Sequence, residues 1–189
     1  MKFYLVRHGQ TEWNVEGRIQ GSTDIELNPK GIKQAKQLSE IIRSLNYPFS
    51  KIYSSPQKRA VQTAEILSRE SGIDFKIQDG LEEINLGEWE GLSWSIVHEI
   101  YPSEFEHWFK NRQYTKPPNG ESYQEMVNRV LSALQKIKME TKDDTVIVTH
   151  SAVIMCLQCY LTNTPFEEMT KFKTENGSIT VIDAALIRV

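Results

Sequence analysis

The chain has 189 residues, 39% hydrophobic and 25% charged, the composition of a folded globular protein with its own core. Lys and Arg number 22 against 25 Asp and Glu; the net charge of −3 disfavours a nucleic-acid binder. No apolar run approaches the ~20 residues of a membrane span, the early charges of the amino end do not suit a signal peptide, and two cysteines build no disulfide framework. A single cytoplasmic domain over 1–189, without a nucleic-acid or membrane partner, is therefore expected.

In chain order, Phe3-Tyr4-Leu5-Val6 reads as a strand buried on both faces. A polar, Gly-dotted loop runs from His8 to Leu27. Asn28-Pro29 predicts a cap followed by proline at the first helical position, with Ile32, Ala35, Leu38, Ile41 and Leu45 at helical spacing. Ile52-Tyr53 is a second strand. Ser55-Pro56 repeats the cap-then-proline start for a helix that Gly72 ends. Phe75-Lys76-Ile77 suggests a third strand. Residues 81–120 read as a small, mostly helical lobe holding Trp89, Trp94 and Trp108. Tyr123 to Ile137 is a clean amphipathic helix. Thr145 to Thr149 is the strongest strand signal, and Ala152 to Leu161 a buried helix. Ile179 to Ile182 is a last strand, with Leu186-Ile187-Arg188-Val189 expected to pair back as a hairpin.

Such alternation predicts an α/β fold: a three-layer α/β/α sandwich with a mainly parallel central sheet, the helical lobe inserted over the site. Ligands in these folds sit beyond the carboxyl ends of the strands. His8 and His150 fall just past two strand ends, and a third leads through Ser54 and Ser55 to Arg59. Arg7, His8, Arg59 and His150 would form a positive crevice around an imidazole, suited to a phosphate monoester dianion. A helix amino terminus beside Arg59 favours the same anion. Cationic neighbours lower the proton affinity of His8, so its ring stays neutral and nucleophilic. Its other nitrogen needs a fixed acceptor, most simply a carbonyl in the Gly9 turn. A proton for the departing oxygen would come from a carboxyl group in Leu81–Gly91; the residues alone leave Glu82, Glu83, Glu88 and Glu90 open.

Leu5-Val6-Arg7-His8-Gly9 through Asn14 resembles the RHG signature of the histidine phosphatase superfamily, the phosphoglycerate-mutase-like group. Further blocks follow in the family's order: Gly17-Arg18-Ile19-Gln20-Gly21, Ser54 to Ala64, Leu81 to Gly91, Pro118 to Ser122, and Val148-Thr149-His150. One RHG is a weak signal; several blocks in register are a strong one. The resemblance implies that His8 becomes phosphorylated, that Arg7, Arg59 and His150 hold the phosphoryl oxygens, and that Glu83 is the acid. Asn14, Gln20, Gly21 and Ser151 would contribute to substrate binding. It implies no metal and no cofactor, a small phosphomonoester as substrate, hydrolysis as the reaction, and a possible homodimer. A phosphoglycerate mutase and a non-catalytic phosphate-binding module are the alternatives; the short stretch between Gly91 and Gly120 disfavours the mutase. The chain departs from the family at Ser151, where glycine is common.

The remaining chemistry-bearing residues have plainer readings. His98 and His107 lack ligand partners and read as solvated. Cys156 and Cys159 form a C-x-x-C in an apolar helix and read as buried thiols. The three clustered tryptophans read mainly as lobe core, with part of the cluster available as a substrate wall.

Overall fold

The computed structural model describes residues 1–44 and 49–187. Leu45, Arg188 and Val189 lie outside that set. Five strands form one sheet: β1 (Lys2–Arg7), β2 (Lys51–Ser54), β3 (Phe75–Ile77), β4 (Thr145–Thr149) and β5 (Ile179–Asp183). Their order is β3-β2-β4-β1-β5, parallel throughout except for β5, which runs antiparallel to β1. The longer helices are α1 (Glu12–Glu16), α2 (Pro29–Ser44), α3 (Lys58–Ser71), α4 (Trp94–Ile100), α5 (Pro102–Lys110), α6 (Tyr123–Glu140) and α7 (Ser151–Thr162).

Strand alternation sorts the core into two layers. Tyr4 and Val6 of β1, Ile52 of β2, and Val146 and Val148 of β4 pack with Leu38 and Ile42 of α2 and Ala60, Ala64 and Leu67 of α3. Their neighbours Phe3, Leu5, Tyr53 and Ile147 turn to the other face, against Met126, Val130 and Leu134 of α6 and Val153 and Leu157 of α7. Both faces are covered, so β1 and β4 read as continuous apolar runs. Each buried Val, Leu, Ile, Phe or Met among them contributes roughly 1.5–3 kcal/mol, and the alanines less. The result is the α/β sandwich that the alternation predicts.

Local chemistry starts and stops the helices. The Asn28 side chain accepts a hydrogen bond from Gly31 N at 2.8 Å, and Pro29 follows as the first helical residue of α2. Ser122 and Glu125 form a reciprocal capping box on α6. Gly72 ends α3 in the left-handed conformation with φ 72°.

Three expectations need correction. The loop after His8 contains a short helix, α1, capped by Thr11 and Asn14. α3 starts at Lys58, not after Ser55-Pro56: Gln57 takes the cap position, the Asp24 carboxylate accepts from Lys58 N at 2.6 Å, and Ser55 Oγ, in contact with His150 Nε2 at 2.8 Å, keeps only a long 3.4 Å bond from Gln57 N. Ala184–Leu186 form a 3-10 turn capped by Asp183, so Leu186 is not in a strand; Arg188 and Val189, the end of the expected hairpin, lie outside the described residues.

Two glycines fix the loop behind His8. A Cβ on Gly31 would lie 2.1 Å from Gln10 O, and one on Gly9 would lie 2.5 Å from Gly31 O. The first turn of α2 therefore packs backbone to backbone on the segment that follows the histidine. Gly31→Ala should destabilise the protein by about 2 kcal/mol, the scale of overpacking a tight site, which a denaturant titration measures. Wild-type stability in that variant would mean that the contact yields freely.

Candidate active site

The sheet register builds the site. Arg7 lies opposite Thr149 in the parallel β1–β4 ladder, so the next residues, His8 and His150, leave the sheet side by side. Their ring centroids are 5.1 Å apart. His8 N donates to Thr149 O, and Ser55 N, beyond the end of β2, donates to Val148 O. Three strand ends thus converge at one edge of the sheet.

His8 is buried. Its Nδ1 lies 2.7 Å from Gly9 O. A carbonyl only accepts, so Nδ1 carries the hydrogen and Nε2 keeps its lone pair. Burial is the main influence holding the imidazole well below its usual pKa of 6.5; Arg59 and Arg7 push the same way, against a smaller opposite effect of the Gly9 carbonyl. His150 is depressed too, by burial first and then by Arg59 and His8.

α3 delivers the second arginine and secures the loops. Arg59 is completely buried; Nη1 donates to Thr23 O and Nη2 to Gly21 O, each at 2.8 Å. Burial lowers its pKa to about 10, so it remains a cation. Further along α3, Gln62 Oε1 accepts from Leu27 N and Thr63 Oγ1 accepts from Gly9 N. One helix therefore places a guanidinium at the site and ties down both the start and the end of the long loop. Arg7 Nη1 donates to Thr174 O. Neither Arg7 Nε, Arg59 Nε nor His150 Nδ1 has a hydrogen-bond partner, although all three are buried. Buried donors are rarely left so.

The four candidate carboxylates separate by what they hold. Glu90 accepts from Ser22 N, Thr23 N and Leu86 N. Glu88 takes Asn119 Nδ2 and Tyr101 OH. Glu82 takes Gly80 N and Arg129. Glu83 alone of the four lines the cavity with His8, Arg7 and Arg59. Its Oε2 accepts from Ala152 N, in the first turn of α7.

That cavity measures about 220 Å³ and is also lined by Asn14, Gln20, Gly21 and Ser151. Asn14 Oδ1 accepts from Asn176 Nδ2, which also donates to His8 O. Gln20 Oε1 accepts from Thr11 Oγ1. Gly21 serves partly through its carbonyl, which Arg59 and Gln57 both bind. Ser151 sits in the wall as the first residue of α7. Trp94, 41% exposed, is also in this wall, whereas Trp89 and Trp108 are buried as core. His98 and His107 are exposed, and Cys156 and Cys159 are buried free thiols.

Two positioning groups escape sequence reasoning. Gln57 donates to Gly21 O and accepts from Glu83 N, bridging the Gly17–Gly21 loop to the glutamate-rich Leu81–Gly91 segment, the acid loop. Arg129 of α6 pairs with Glu121 at 2.6 Å and donates to the carbonyls of Gly80, Glu82 and Glu83. Both read as solvated polar residues on helices, and nothing in their spacing marks them otherwise. Among the described residues no group of three or more His, Cys, Asp or Glu is placed to hold a metal ion, and no helix is long and apolar enough to cross a membrane.

The buried imidazoles link stability to pH. An unfolded chain protonates them near pH ~6.5; the folded chain keeps them neutral to lower pH. Their contribution is therefore complete above about pH 6.5 and is lost as pH falls below it, because the unfolded state then binds more protons. Unfolding free energies measured from pH 7.5 to 5.5 should decline, and His150→Gln should flatten the decline. An unchanged slope in that variant would show that His150 is not held neutral.

A family model described as "Histidine phosphatase superfamily (branch 1)" matches residues 3–185. Phosphoserine phosphatase 1 of Hydrogenobacter thermophilus is 32% identical over 183 residues, covering 96% of this chain and 86% of that protein. The structure of YhfR from Bacillus stearothermophilus superposes with a TM-score of 0.86 at 33% identity, covering 96% of this chain and 90% of that one. Phosphoserine phosphatase from Entamoeba histolytica, solved with 3-phosphoglyceric acid, gives 0.82 at 31% identity, over 95% and 89%.

Proposed function

Since the chain belongs to branch 1 of the histidine phosphatase superfamily, we propose that it is a phosphomonoesterase that hydrolyses a small phosphorylated metabolite through a phosphohistidine at His8. The observation that carries this reading is a set of three buried nitrogens without partners: Arg7 Nε and Arg59 Nε, on residues that line one cavity with His8, and His150 Nδ1, in the ring 5.1 Å from that of His8. Phosphoryl oxygens would satisfy all three. Ser55 Oγ, donating into His150 Nε2, would leave the hydrogen of His150 on Nδ1, directed to an acceptor.

In the first step His8 Nε2 attacks phosphorus in line with the ester oxygen. The N–P bond forms, the P–O bond breaks, and Glu83 gives its proton to the departing alcohol. The Gly9 carbonyl stabilises the positive charge that develops on the ring, through the Nδ1 hydrogen. Arg7, Arg59 and His150 face the equatorial oxygens, where positive donors in a water-poor pocket are most effective. In the second step Glu83 takes a proton from water, which attacks phosphorus; the N–P pair returns to Nε2 and inorganic phosphate leaves. Asn14, Gln20, Gly21 and Ser151 line the pocket around the group in transit. Only α4, α5 and turns stand between Gly91 and Gly120, leaving water a path to the phosphoenzyme and favouring hydrolysis over return of the phosphoryl group.

Purified protein should release phosphate from 4-nitrophenyl phosphate, and His8→Ala should abolish it; substantial turnover by that variant would exclude the mechanism. Glu83→Gln should slow alkyl phosphates on the order of 10²–10⁴-fold, the usual contribution of a general acid, and 4-nitrophenyl phosphate far less. Equal slowing across leaving groups, followed as released phosphate, would remove Glu83 as the proton donor.

A further inference from the structure

A second cavity, of about 340 Å³, adjoins the phosphate-facing one and shares Trp94, Tyr123, Met155 and Met169 with it. Its remaining wall is formed chiefly by Phe105, Trp108 and Phe109. The rings form flat, layered surfaces: Trp94 and Trp108 stack at 5.4 Å with planes 17° apart, and Phe105 and Phe109 at 5.8 Å and 26°. Arg112 is the one charged residue in the lining. Its guanidinium lies over Trp108 and Phe109 and donates to Glu167 O.

Two of the cavity's five aromatics, Trp94 and Phe109, are not needed to close the core. Trp89 and Trp108 already do that, while Trp94 is 41% and Phe109 50% exposed. Large apolar rings facing solvent beside a reaction centre lose free energy that a covering apolar group would recover. An amino acid or sugar-acid leaving group would gain little there. Arg112 is buried, with its guanidinium covered by Trp108 and Phe109 and donating to Glu167 O, so a carboxylate finds little of it to pair with, an ammonium is repelled, and hydroxyl groups meet mostly carbon.

We propose that this cavity receives the leaving group, and that the substrates are phosphomonoesters of alcohols bearing an aromatic ring. The inference rests on the phosphomonoesterase reading above and names its substrate class.

The test compares kcat/KM for 2-phenylethyl phosphate, O-phosphoserine and 3-phosphoglycerate, by released phosphate. All three are esters of alcohols rather than phenols, so a preference for the aromatic one reflects binding, not a stabilised phenolate. The wild-type protein should favour 2-phenylethyl phosphate by about tenfold or more, the value of burying one ring. Phe109 lies outside the phosphate-facing cavity. Phe109→Ala should therefore reduce kcat/KM for the aromatic ester about fivefold and leave kcat/KM for O-phosphoserine unchanged, with Phe109→Leu intermediate on the aromatic ester. Equal or better use of phosphoserine or 3-phosphoglycerate, or an equal loss on all esters in Phe109→Ala with unaltered circular dichroism, would overturn the inference while the phosphatase reading stands. Failure to hydrolyse these esters and 4-nitrophenyl phosphate alike would overturn both.

Discussion

The parallel pairing of β1 with β4, with Arg7 opposite Thr149, is the constraint from which the site follows. It sets His8 and His150 at neighbouring strand ends and fixes which way each leaves the sheet. Because side chains alternate along a strand, a one-residue slip would exchange the two packing faces of β1 and turn Leu5 and Val6 into the wrong layers. The core therefore enforces the register, and the register enforces the 5.1 Å approach of the two rings. Packing on both faces of the sheet and the chemistry at its edge are thus one requirement.

Keeping buried cations beside neutral imidazoles is unfavourable on its own. Desolvation lowers the pKa of Arg7 and Arg59 alike, and removing a charge from water costs several kcal/mol even after relaxation. Carbonyls of Gly21, Thr23 and Thr174 offset part of that cost, and the Glu83 charge offsets more. What they leave unmet are the donors that face inward. Backbone oxygens thus hold a positive pocket in place, and on the proposed reading the side-chain nitrogens they leave without partners are kept for the phosphoryl group. Gln57 and Arg129 extend the same logic to the acid loop, gripping it through main-chain atoms so that the Glu83 carboxylate stays on the wall of the cavity.

Much of this was legible in the sequence because it is written in local pattern. Apolar runs at Phe3–Val6 and Thr145–Thr149 give the buried strands, and the residues just past them give the histidines. Asn28-Pro29 and Ser122 with Glu125 announce helix starts by short-range chemistry. The failures share a cause: a long-range partner outbid a local preference. Ser55 reads as a cap, but its hydroxyl meets His150, 95 residues away in the chain, and Asp24, 34 residues away, accepts from the first helical N–H at Lys58. The four glutamates of the acid loop look alike in sequence; only three-dimensional neighbours, Ser22 and Thr23 for Glu90 and Arg129 for Glu82, separate them.

The central claim, a transient bond between phosphorus and His8 Nε2, is tested most directly by trapping it. Protein mixed briefly with a ³²P-labelled phosphomonoester and quenched in base should carry label that is stable to alkali and released by acid. Peptide mapping should place that label on the fragment containing His8. Label that resists acid, or that maps to a fragment without His8, would contradict the account.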